Sequence, residues 1–583
     1  MVVAWSYSSG FYYLFGYCKR NAFLIMIALI VLAVMLAIVF GLWYKFNRQQ
    51  HRIGSVVSNC PGCAEVGGNI LREGGSAVDA IIATLLCEGV ILPHSLGLGG
   101  GFVATIYTKE TGKVETLIAR ESAPLAAHRD MFVDKKITGA IAAGVPGEIY
   151  GYWHLHQKYG KLPWHMLFEP TIRMCLRGHK VSEYLANVLV LYEEHIKQEP
   201  SLAEIFINPK TCKVFKEGEV MYRPQLGRTL QAIAAEGAGV IYDGGRIGQM
   251  FAEDVQRMGG IITIEDLMLY DVRWEEPIVA HMAGGYTVYT TPLPTSGVLL
   301  AFILNVMNPL YTDRHEIYWQ RVIETFKHAY GYRTHLGDAC FEPDVGEVYH
   351  DLTCPGFAAE IRKLIRDFRT YTNYSYYCAD FSSKESRGTA NVCVLAPNGD
   401  AISVTSTVNS HLGAKVRSRR TGIILNDEMD DFSTPGVVNA YGIPSSPANY
   451  IKPGKIPMSS TCPTIAIDKC GHVRMLVGGA GGSKITTSVA QAILRYLVLD
   501  ESLEMAVNTP RIHHQLAPMY VDVEPGVDED IITYLRRIGH KLNYLPGEKA
   551  FSALTAIGLK TGKPVPVCDI RRLGSIAIVR EGQ

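Results

Sequence analysis

Residues 389–409 read TANVCVLAPNGDAISVTSTVN, and this stretch decides the fold. Two alternating runs flank residues 397–399, Pro-Asn-Gly, which is a strong signal for a β-hairpin. Apolar positions of the two strands must lie opposite each other, because a slip of one residue moves every side chain to the wrong face. A three-residue loop meets this condition and pairs Val392 with Val404.

The same register sets Thr389 opposite Thr407. Directly opposed residues have Cβ atoms about 4.5–5.5 Å apart, which brings two hydroxyls within hydrogen-bond reach. Such threonine pairs are usually structural, but this one follows Gly388 and a polar, tyrosine-rich segment, residues 367–387, that reads as an exposed loop. A threonine hydroxyl is a weak nucleophile, and cutting the peptide before it frees its own α-amine as a base. The position therefore suggests an N-terminal threonine nucleophile.

The rest of the body reads as mixed helices and strands. Residues 75–90 predict a buried helix, and a glycine loop follows at 97–101. Alternating runs over 102–120 predict a second hairpin. Amphipathic helices are expected around 150–159, 226–236 and 318–333. This mixture fits an α+β or layered α/β design.

A long apolar segment lies near the N-terminus. Residues 22–44 read AFLIMIALIVLAVMLAIVFGLWY, without a charged residue. As a helix they would span roughly 34 Å, enough to cross a bilayer. The alternatives are a buried helix or a cleaved signal peptide, but bulky Leu42, Trp43 and Tyr44 stand where a signal peptide has its small-residue cleavage site. We predict a transmembrane signal anchor at 22–44, preceded by a short cytoplasmic tail, 1–21.

The orientation of this anchor does not follow from charge, because basic residues flank both ends. A glycosylation sequon at Asn373 and 13 cysteines favour an external body. We therefore expect a single-pass type II protein of the cell membrane, with the body outside the cell.

Composition excludes several other classes of protein. Lysine plus arginine equals aspartate plus glutamate, and no long basic tract occurs, so a nucleic-acid partner is not expected. Cys60 and Cys63 form one CxxC pair, but no second pair completes a zinc site. We expect no metal and no cofactor. Thirteen cysteines in 583 residues are not a disulfide scaffold, although one or two bridges are plausible in an external protein.

From about residue 55 to the C-terminus, the chain resembles the γ-glutamyltransferases, a family of N-terminal-nucleophile hydrolases. The resemblance implies a four-layer αββα sandwich and self-cleavage between Gly388 and Thr389. It also implies a heavy chain, 45–388, that remains associated with a light chain, 389–583. The motifs that carry it, in order, are GGSAVDA, the glycine loop at 97–101, ARESAP, the Gly388-Thr389 junction, TSTVN, NDEMDDF, PMSSTCPT and GGAGGSKI.

The resemblance also assigns catalytic roles. The Thr389 hydroxyl would attack the γ-carbonyl of a donor such as glutathione, with the freed α-amine as general base. Thr407 would orient that hydroxyl. The backbone N–H groups of Gly481 and Gly482 would form the oxyanion hole. The γ-glutamyl group would pass to a dipeptide, an amino acid or water.

A γ-glutamyl donor carries an α-carboxylate and an α-ammonium, and the resemblance assigns residues to both. Arg120 suits the carboxylate because its planar fork binds one in a bidentate manner. Glu428 and Asp431 would hold the ammonium. The residues expected to assist are Ser459 and Ser460 on the carboxylate side and Asn409 on the ammonium side.

The chain matches one family disulfide, Cys63–Cys87, and departs from the family at three points. Asn391 stands two residues after the nucleophile, where histidine is common. His411 stands where an aromatic residue is frequent, and Cys212 lacks a close partner for a second heavy-chain disulfide. We expect the first two departures to touch the rim of the site and to alter the rate rather than abolish activity.

Three hypotheses remain open. The first is an extracellular γ-glutamyltransferase, and the second is an inactive membrane glycoprotein with a binding or scaffold role. The third is an enzyme with the same fold that acts on another amide, as related acylases do. Arg120, Glu428 and Asp431 argue against the third, because an amide that is not γ-glutamyl would not need both charged groups.

Overall fold

The computed structural model describes residues 26–27, 29–42, 53–382, 388–439, 442–547, 551–560 and 562–581. Residues 26–27 and 29–42 are helical and belong to a unit separate from residues 53–583. The remaining residues of the expected span 22–44, like the expected tail 1–21, lie outside the described part. No helix within the described residues is both long and apolar enough to cross a membrane.

Short and long strands alternate with helices throughout the larger unit. In the described residues the strands are β1 (Ile53–Ser58), β2 (Gly101–Thr108), β3 (Lys113–Ala119), β4 (His179–Lys180), β5 (Ile207–Asn208), β6 (Lys213–Val214), β7 (Val220–Met221), β8 (Arg273–Glu275), β9 (Ile278–Met282), β10 (Tyr286–Thr290), β11 (Gly388–Leu395), β12 (Ala401–Asn409), β13 (Thr464–Ile467), β14 (Val473–Ala480), β15 (Ile512–His513), β16 (Val521–Val523), β17 (Leu542–Tyr544), β18 (Ala553–Gly558), β19 (Val565–Cys568) and β20 (Ser575–Arg580).

The α-helices of the same unit are α1 (Cys63–Arg72), α2 (Ala77–Ile91), α3 (Glu148–Tyr159), α4 (Trp164–Arg177), α5 (Glu183–Leu191), α6 (Glu193–Gln198), α7 (Pro200–Phe206), α8 (Pro224–Glu236), α9 (Gly239–Tyr242), α10 (Arg246–Arg257), α11 (Ile264–Met268), α12 (Gly297–Met307), α13 (His315–Arg333), α14 (Val345–Thr353), α15 (Pro355–Leu364), α16 (Lys484–Ile493), α17 (Leu503–Asn508) and α18 (Glu529–Arg537). The helices expected near 75–90, 150–159, 226–236 and 318–333 are confirmed as α2, α3, α8 and α13.

Two large antiparallel sheets form the centre. The first has the strand order β20-β1-β11-β12-β2-β3-β8, and the second has the order β19-β18-β14-β13-β10-β9. The hairpin expected over 102–120 is confirmed as β2 and β3. Residues 367–382 of the expected loop contain a single 3₁₀ turn, Tyr374–Tyr377, and no strand, whereas residues 383–387 lie outside the described part.

Three apolar clusters separate four layers. On one side of β11, Val392 and Val394 face helices α1 to α4. On the other side, Cys393 and Leu395 face the second sheet. Helices α12, α13 and α16 cover the outer face of that sheet through a further cluster. Because β11 is covered on both faces, all its residues are buried. The arrangement is the expected αββα sandwich.

Residues before and after Gly388 contribute strands to both sheets. In the first sheet, β11 and β12 lie between β1 and β2, and β20 pairs with the other edge of β1. In the second sheet, β13 pairs with β10. The two predicted chains therefore share one pair of sheets and do not form separate folding units.

Candidate active site

The hairpin of β11 and β12 has the predicted register from Ala390 to Leu395, whereas the predicted direct pairing of Thr389 with Thr407 is wrong. Val392 lies opposite Val404, and the pairing continues to Ala390. A β-bulge then interrupts the ladder between Gly388 and Ala390. Thr389 lies in this bulge and is not directly opposed to one partner. Bulges of this kind redirect a side chain, and they are frequent beside active sites.

The bulge brings two hydroxyls onto one carbonyl oxygen. Thr389 Oγ1 donates to the Gly388 carbonyl oxygen at 2.6 Å, and Thr407 Oγ1 donates to the same oxygen. The two Oγ1 atoms are 3.4 Å apart, so the expected proximity is confirmed. Thr407 Oγ1 also accepts a hydrogen bond from the Asn409 backbone N–H at 2.8 Å. The nucleophile candidate thus lies beside the peptide bond that it would cut, and a second donor polarises that bond.

Asn409 ends β12 in a left-handed conformation, with φ of +74°. Asparagine is one of the few residues that tolerate this region. Its Nδ2 donates to the Asp427 carbonyl oxygen at 3.1 Å, which ties the hairpin to the short 3₁₀ turn Glu428–Asp431. Its Oδ1 is buried and has no hydrogen-bond partner among the described residues. This oxygen is therefore a candidate acceptor for a ligand cation.

Arg120 lies at the centre of a buried charge cluster, which comprises Arg120, Glu121, Glu428 and Asp431. Arg120 Nη2 forms an ion pair with Glu428 Oε1. Arg120 Nε is 3.7 Å from Glu121 Oε2, and Nη2 is 3.9 Å from Asp431 Oδ2. One guanidinium therefore faces three carboxyl groups in a region that excludes water.

The pKa values of the carboxyl groups reflect the excess of acidic over basic side chains in the charge cluster. Burial raises the pKa of Glu121 to about 7, against the opposing effect of Arg120. Burial likewise raises the pKa of Glu428 and of Asp431. Within the described part of the chain, neither Glu121 oxygen nor Arg120 Nε has a hydrogen-bond partner. Buried charges without full compensation are costly, and they are frequent where a ligand binds.

Of the two predicted serines, Ser460 contacts a residue that the sequence did not single out. Ser460 Oγ accepts from Arg333 Nη2 at 3.3 Å, and Arg333 also lowers the pKa of Asp431 through its charge. Ser459 Oγ is 3.1 Å from Thr461 Oγ1. Arg333 is the last residue of α13 and far away in sequence, so no local pattern indicates its role.

Gly481 and Gly482 connect β14 to α16. A Cβ on Gly481 would lie 2.6 Å from Ser552 Cα, so only glycine fits there. Three residues earlier, a Cβ on Gly478 would lie 2.1 Å from the side-chain amide of Asn391. The glycines thus let the second sheet approach strand β11 closely. The connection also leads into the N-terminus of α16, where the helix dipole favours negative charge.

Arg572 is a further site residue that the sequence did not reveal. Its Nη1 donates to the Thr389 carbonyl oxygen at 2.8 Å, and its Nη2 donates to Tyr184 Oη at 3.1 Å. Tyr184 Oη is 2.9 Å from His411 Nε2. His411 therefore belongs to a hydrogen-bonded chain that ends on the Thr389 carbonyl oxygen. Arg572 and Tyr184 are 388 positions apart, which no sequence motif can bridge.

A cavity of about 770 Å³ adjoins this chain of contacts. Tyr184 and Arg572 line it together with Lys180, Phe551 and Pro61. Its size is in the range of small-molecule and peptide sites. The cavity therefore lies next to Arg572, the residue that donates to the Thr389 carbonyl oxygen.

Asn391 lies between the sheets, not at the rim where we expected it. Its backbone N–H donates to Asn59 Oδ1 at 2.9 Å. Its side-chain amide is 2.7 Å from the hydroxyl oxygens of Thr405 and Thr555. Asn391 thus places a buried amide with polar neighbours at this position, which packs against Gly478 and the second sheet.

The remaining predicted features are a disulfide, a cysteine and a glycosylation site. The Cys63–Cys87 disulfide is present and joins the start of α1 to α2. Cys212 is a free, exposed cysteine. Asn373 is exposed, as a glycosylated residue must be. Among the described residues, the one group with metal-ligand spacing is Asp468, Cys470 and His472, at the turn between β13 and β14.

The comparison with known proteins decides the family. The family model for gamma-glutamyltranspeptidase matches residues 63–579. The chain belongs to the gamma-glutamyltranspeptidase family. It is 40% identical over 536 residues to Scoloptoxin SSD14 of Scolopendra dehaani, with 90% of this chain and 92% of that protein covered. It is 37% identical to Glutathione hydrolase 3 of Arabidopsis thaliana, with 88% and 84% covered, and 34% identical to the Glutathione hydrolase 5 proenzyme of Mus musculus, with 88% and 90% covered.

Solved structures agree with this assignment. Helicobacter pylori gamma-glutamyltranspeptidase is 32% identical with a TM-score of 0.51, over 54% of this chain and 92% of that chain. A cephalosporin acylase from Bacillus halodurans has a TM-score of 0.78 at 24% identity, over 91% and 96%, which reflects the shared fold. The protein is therefore an enzyme of the gamma-glutamyltranspeptidase family with the N-terminal-nucleophile hydrolase fold.

Proposed function

We propose that this gamma-glutamyltranspeptidase family member is a membrane-anchored γ-glutamyltransferase that matures by cutting itself between Gly388 and Thr389. The observation that carries the proposal is the convergence of the Thr389 and Thr407 hydroxyls on the Gly388 carbonyl oxygen. Attack by Thr389 Oγ1 on the carbonyl carbon converts the peptide bond to an ester and frees the α-amine. Water then hydrolyses the ester and releases the Gly388 carboxylate.

In the mature enzyme, the same hydroxyl attacks the γ-carbonyl of the donor. The α-amine of Thr389 accepts the hydroxyl proton and later delivers a proton to the leaving amine. The backbone N–H groups of Gly481 and Gly482 stabilise the oxyanion. Arg572 holds the Thr389 carbonyl oxygen and so fixes the backbone of the nucleophile. Water, an amino acid or a dipeptide then takes up the γ-glutamyl group.

The charge cluster recognises the glutamyl end of the donor. The donor α-carboxylate takes the place of Glu428 on the guanidinium of Arg120, with Ser459 and Ser460 as hydroxyl donors. The donor α-ammonium then neutralises the acidic groups of Glu428 and Asp431, with Asn409 Oδ1 as a further acceptor. The zwitterionic head of the donor thus replaces one internal ion pair with two, which compensates charges that burial leaves unbalanced.

Glutathione and its conjugates are the proposed donors. They carry both charges that the cluster needs, on a γ-linked glutamyl group. The names of the Arabidopsis and mouse relatives, glutathione hydrolases, support this choice. The cavity beside Arg572 has room for the remainder of the tripeptide.

The anchor and the outside location complete the proposal. The uncharged segment 22–44 supports a type II anchor in the cell membrane. The exposed Asn373 and the Cys63–Cys87 disulfide suit an oxidising, extracellular environment. We expect the heavy and light chains to remain associated after cleavage, because they share both sheets.

A denaturing gel of purified protein, with an assay of glutamate release from glutathione, tests the proposal. We expect two fragments, of which the smaller begins Thr-Ala-Asn-Val-Cys, together with glutamate release. A single intact chain without release would instead favour the scaffold protein. To test the location, glycosidase treatment should shift the heavy chain, and an Asn373→Gln variant should lack this shift.

A further inference from the structure

The CxxC turn between β1 and α1 has no role in the proposed reaction. Cys63 is bonded to Cys87, whereas Cys60 is a buried free thiol. The Cys60 Sγ is only 3.5 Å from the Cys63 Sγ. Three sulfur atoms are therefore adjacent, two of them in a disulfide and the third within contact distance of the central one.

We propose that Cys60, Cys63 and Cys87 form a thiol–disulfide exchange site with two alternative pairings, Cys63–Cys87 and Cys60–Cys63. In the exchange, the Cys60 thiolate attacks the Cys63 Sγ, and the bond between Cys63 and Cys87 breaks. Its electron pair goes to the Cys87 Sγ, which takes up a proton to replace the one that left Cys60. One disulfide and one thiol are present before and after, so no oxidant or reductant is consumed.

The local backbone suits the second pairing. Cys63 is the first residue of α1, and Gly62 before it adopts a left-handed conformation with φ of 82°. This turn folds Cys60 back onto the helix start, which is where CxxC disulfides of redox proteins lie. Cys60 follows Asn59, whose side chain holds the Asn391 backbone N–H. The exchange site therefore lies next to Asn59, which holds β11 through the Asn391 backbone N–H.

Burial keeps the resting thiol unreactive. Burial and the neighbouring Glu88 raise the pKa of Cys60 well above its ordinary value. Glu88 Oε1 accepts from Ser58 Oγ at 2.5 Å, and the same Ser58 oxygen accepts from the Cys60 backbone N–H at 3.0 Å. Because the thiolate is the attacking species, exchange is slow at neutral pH, and the Cys63–Cys87 pairing persists.

Disulfide mapping of the full chain tests the exchange. The protein is incubated at about pH 9 without oxidant or reductant, acid-quenched, alkylated and digested for mass spectrometry. We expect a Cys60–Cys63 peptide to appear together with alkylated Cys87 and to rise to a constant fraction. If Cys63–Cys87 is the only pairing of these residues after prolonged incubation, the proposal is wrong.

Variants make the test independent of exchange rate. Cys87→Ser protein incubated with oxidised glutathione, which takes up the two electrons, should form a Cys60–Cys63 disulfide, and two free or separately glutathionylated thiols at these positions would overturn the proposal. Cys60→Ser protein should retain Cys63–Cys87 throughout the same incubation without reductant. Cys175→Ser removes another buried free thiol and should exchange as the wild type does. If Cys87→Ser does not fold, the wild-type incubation still decides.

Discussion

The nucleophile hairpin and the charge cluster are built in opposite ways. In the hairpin, Thr389 and Thr407 are 18 positions apart, and hydrogen bonds to and from the backbone hold their hydroxyls. In the charge cluster, Arg120 and Glu428 are 308 positions apart. Buried groups there remain without hydrogen-bond partners among the described residues, and the carboxyl pKa values are raised.

Because of this difference in construction, we assign the proposed bond-breaking chemistry to the hairpin and the proposed donor recognition to the charge cluster. Groups held by backbone geometry keep their positions whatever binds, so the hairpin would be preorganised for the proposed attack. A cluster with three carboxyl groups around one guanidinium changes its energy with every added charge. We therefore expect changes in the hairpin to affect self-cleavage and turnover together. Changes in the charge cluster should affect donor binding and pH dependence and leave self-cleavage intact.

The largest effect is expected for Thr389→Ala. This variant lacks the proposed nucleophile, so the precursor should remain uncut and glutamate release should fall by about 1000-fold or more. Thr389→Ser keeps a hydroxyl and serves as the control, which should still cleave. The measurement is a denaturing gel with N-terminal sequencing. A light chain beginning at residue 389 in the alanine variant would contradict self-cleavage by Thr389.

Arg120→Gln should lower kcat/KM by about 30-fold to several thousand-fold. A buried charge-assisted contact is worth roughly 2–5 kcal/mol on truncation, at about 1.4 kcal/mol per decade. Self-cleavage should be spared, because it involves no glutamyl group. Arg417→Gln, which removes another buried arginine from its pair with Glu204, should leave kcat/KM within a few-fold.

Substrate analogues sharpen this test. The wild type should discriminate strongly against a donor that lacks its α-carboxylate, and Arg120→Gln should discriminate far less. Equal discrimination by the two proteins would mean that Arg120 is structural, and it would reopen the question of the substrate.

Thr407→Val should slow self-cleavage by about 10- to 100-fold. The variant keeps the shape of the side chain but removes one donor to the Gly388 carbonyl oxygen, a loss of about 1–3 kcal/mol. The control is Thr105→Val on neighbouring β2, whose hydroxyl donates to the Pro463 carbonyl oxygen. Cleavage is followed on gels after synthesis is stopped. Equal rates in the two variants would exclude a role for Thr407 in polarising the bond.

The smallest effect concerns the pH dependence of stability. The pKa of Glu121 is raised from 4.5 to about 7 in the folded protein. Between these two pH values, the folded state therefore binds more protons than the unfolded state. Its stability contribution is therefore complete below about pH 4.5 and lost as pH rises to 7. Glu121→Gln should remove this decline, by at most roughly 3 kcal/mol.

Thermal unfolding between pH 5 and 8 measures this change, in the uncut Thr389→Ala background so that one chain unfolds. Glu115→Gln is the control. Its pKa is lowered to about 2 by hydrogen bonds to Lys113, Tyr159 and Lys158, which outweigh its partial burial, so it is ionised throughout this range. Parallel pH profiles for the wild type and Glu121→Gln would show that ionisation of Glu121 does not lower the stability of the folded protein.

The sequence predicts the hairpin well because its rule is local. Matching of apolar faces requires Val392 opposite Val404 and brings Thr389 near Thr407, as the structure has it. The bulge at Thr389 could not be predicted. It occurs where β12 ends in the left-handed Asn409, which is tied to Asp427 in a different part of the chain.

Other parts of the site depend on contacts that sequence spacing does not encode. The proximity of Arg120 to the 3₁₀ turn Glu428–Asp431 was implied by family resemblance alone. Arg572, in the segment before β20, contacts the Thr389 carbonyl oxygen although the two residues are 183 positions apart in sequence. Asn391 looked like a rim residue because it is close to Thr389 in sequence. Its strand position points it between the sheets instead.

The way the two proposed chains share their sheets has a consequence for folding. Strands β11 and β12 lie in the middle of the first sheet, between β1 and β2. In the precursor, one continuous chain brings these strands together, at the entropic cost of closing loops within one molecule. After cleavage, the same assembly is a bimolecular encounter of two incomplete sheets with exposed edges, which favours aggregation. The mature enzyme would then be unable to refold once it is unfolded. Heat or denaturant should therefore inactivate it irreversibly, whereas the uncut Thr389→Ala precursor should be able to refold.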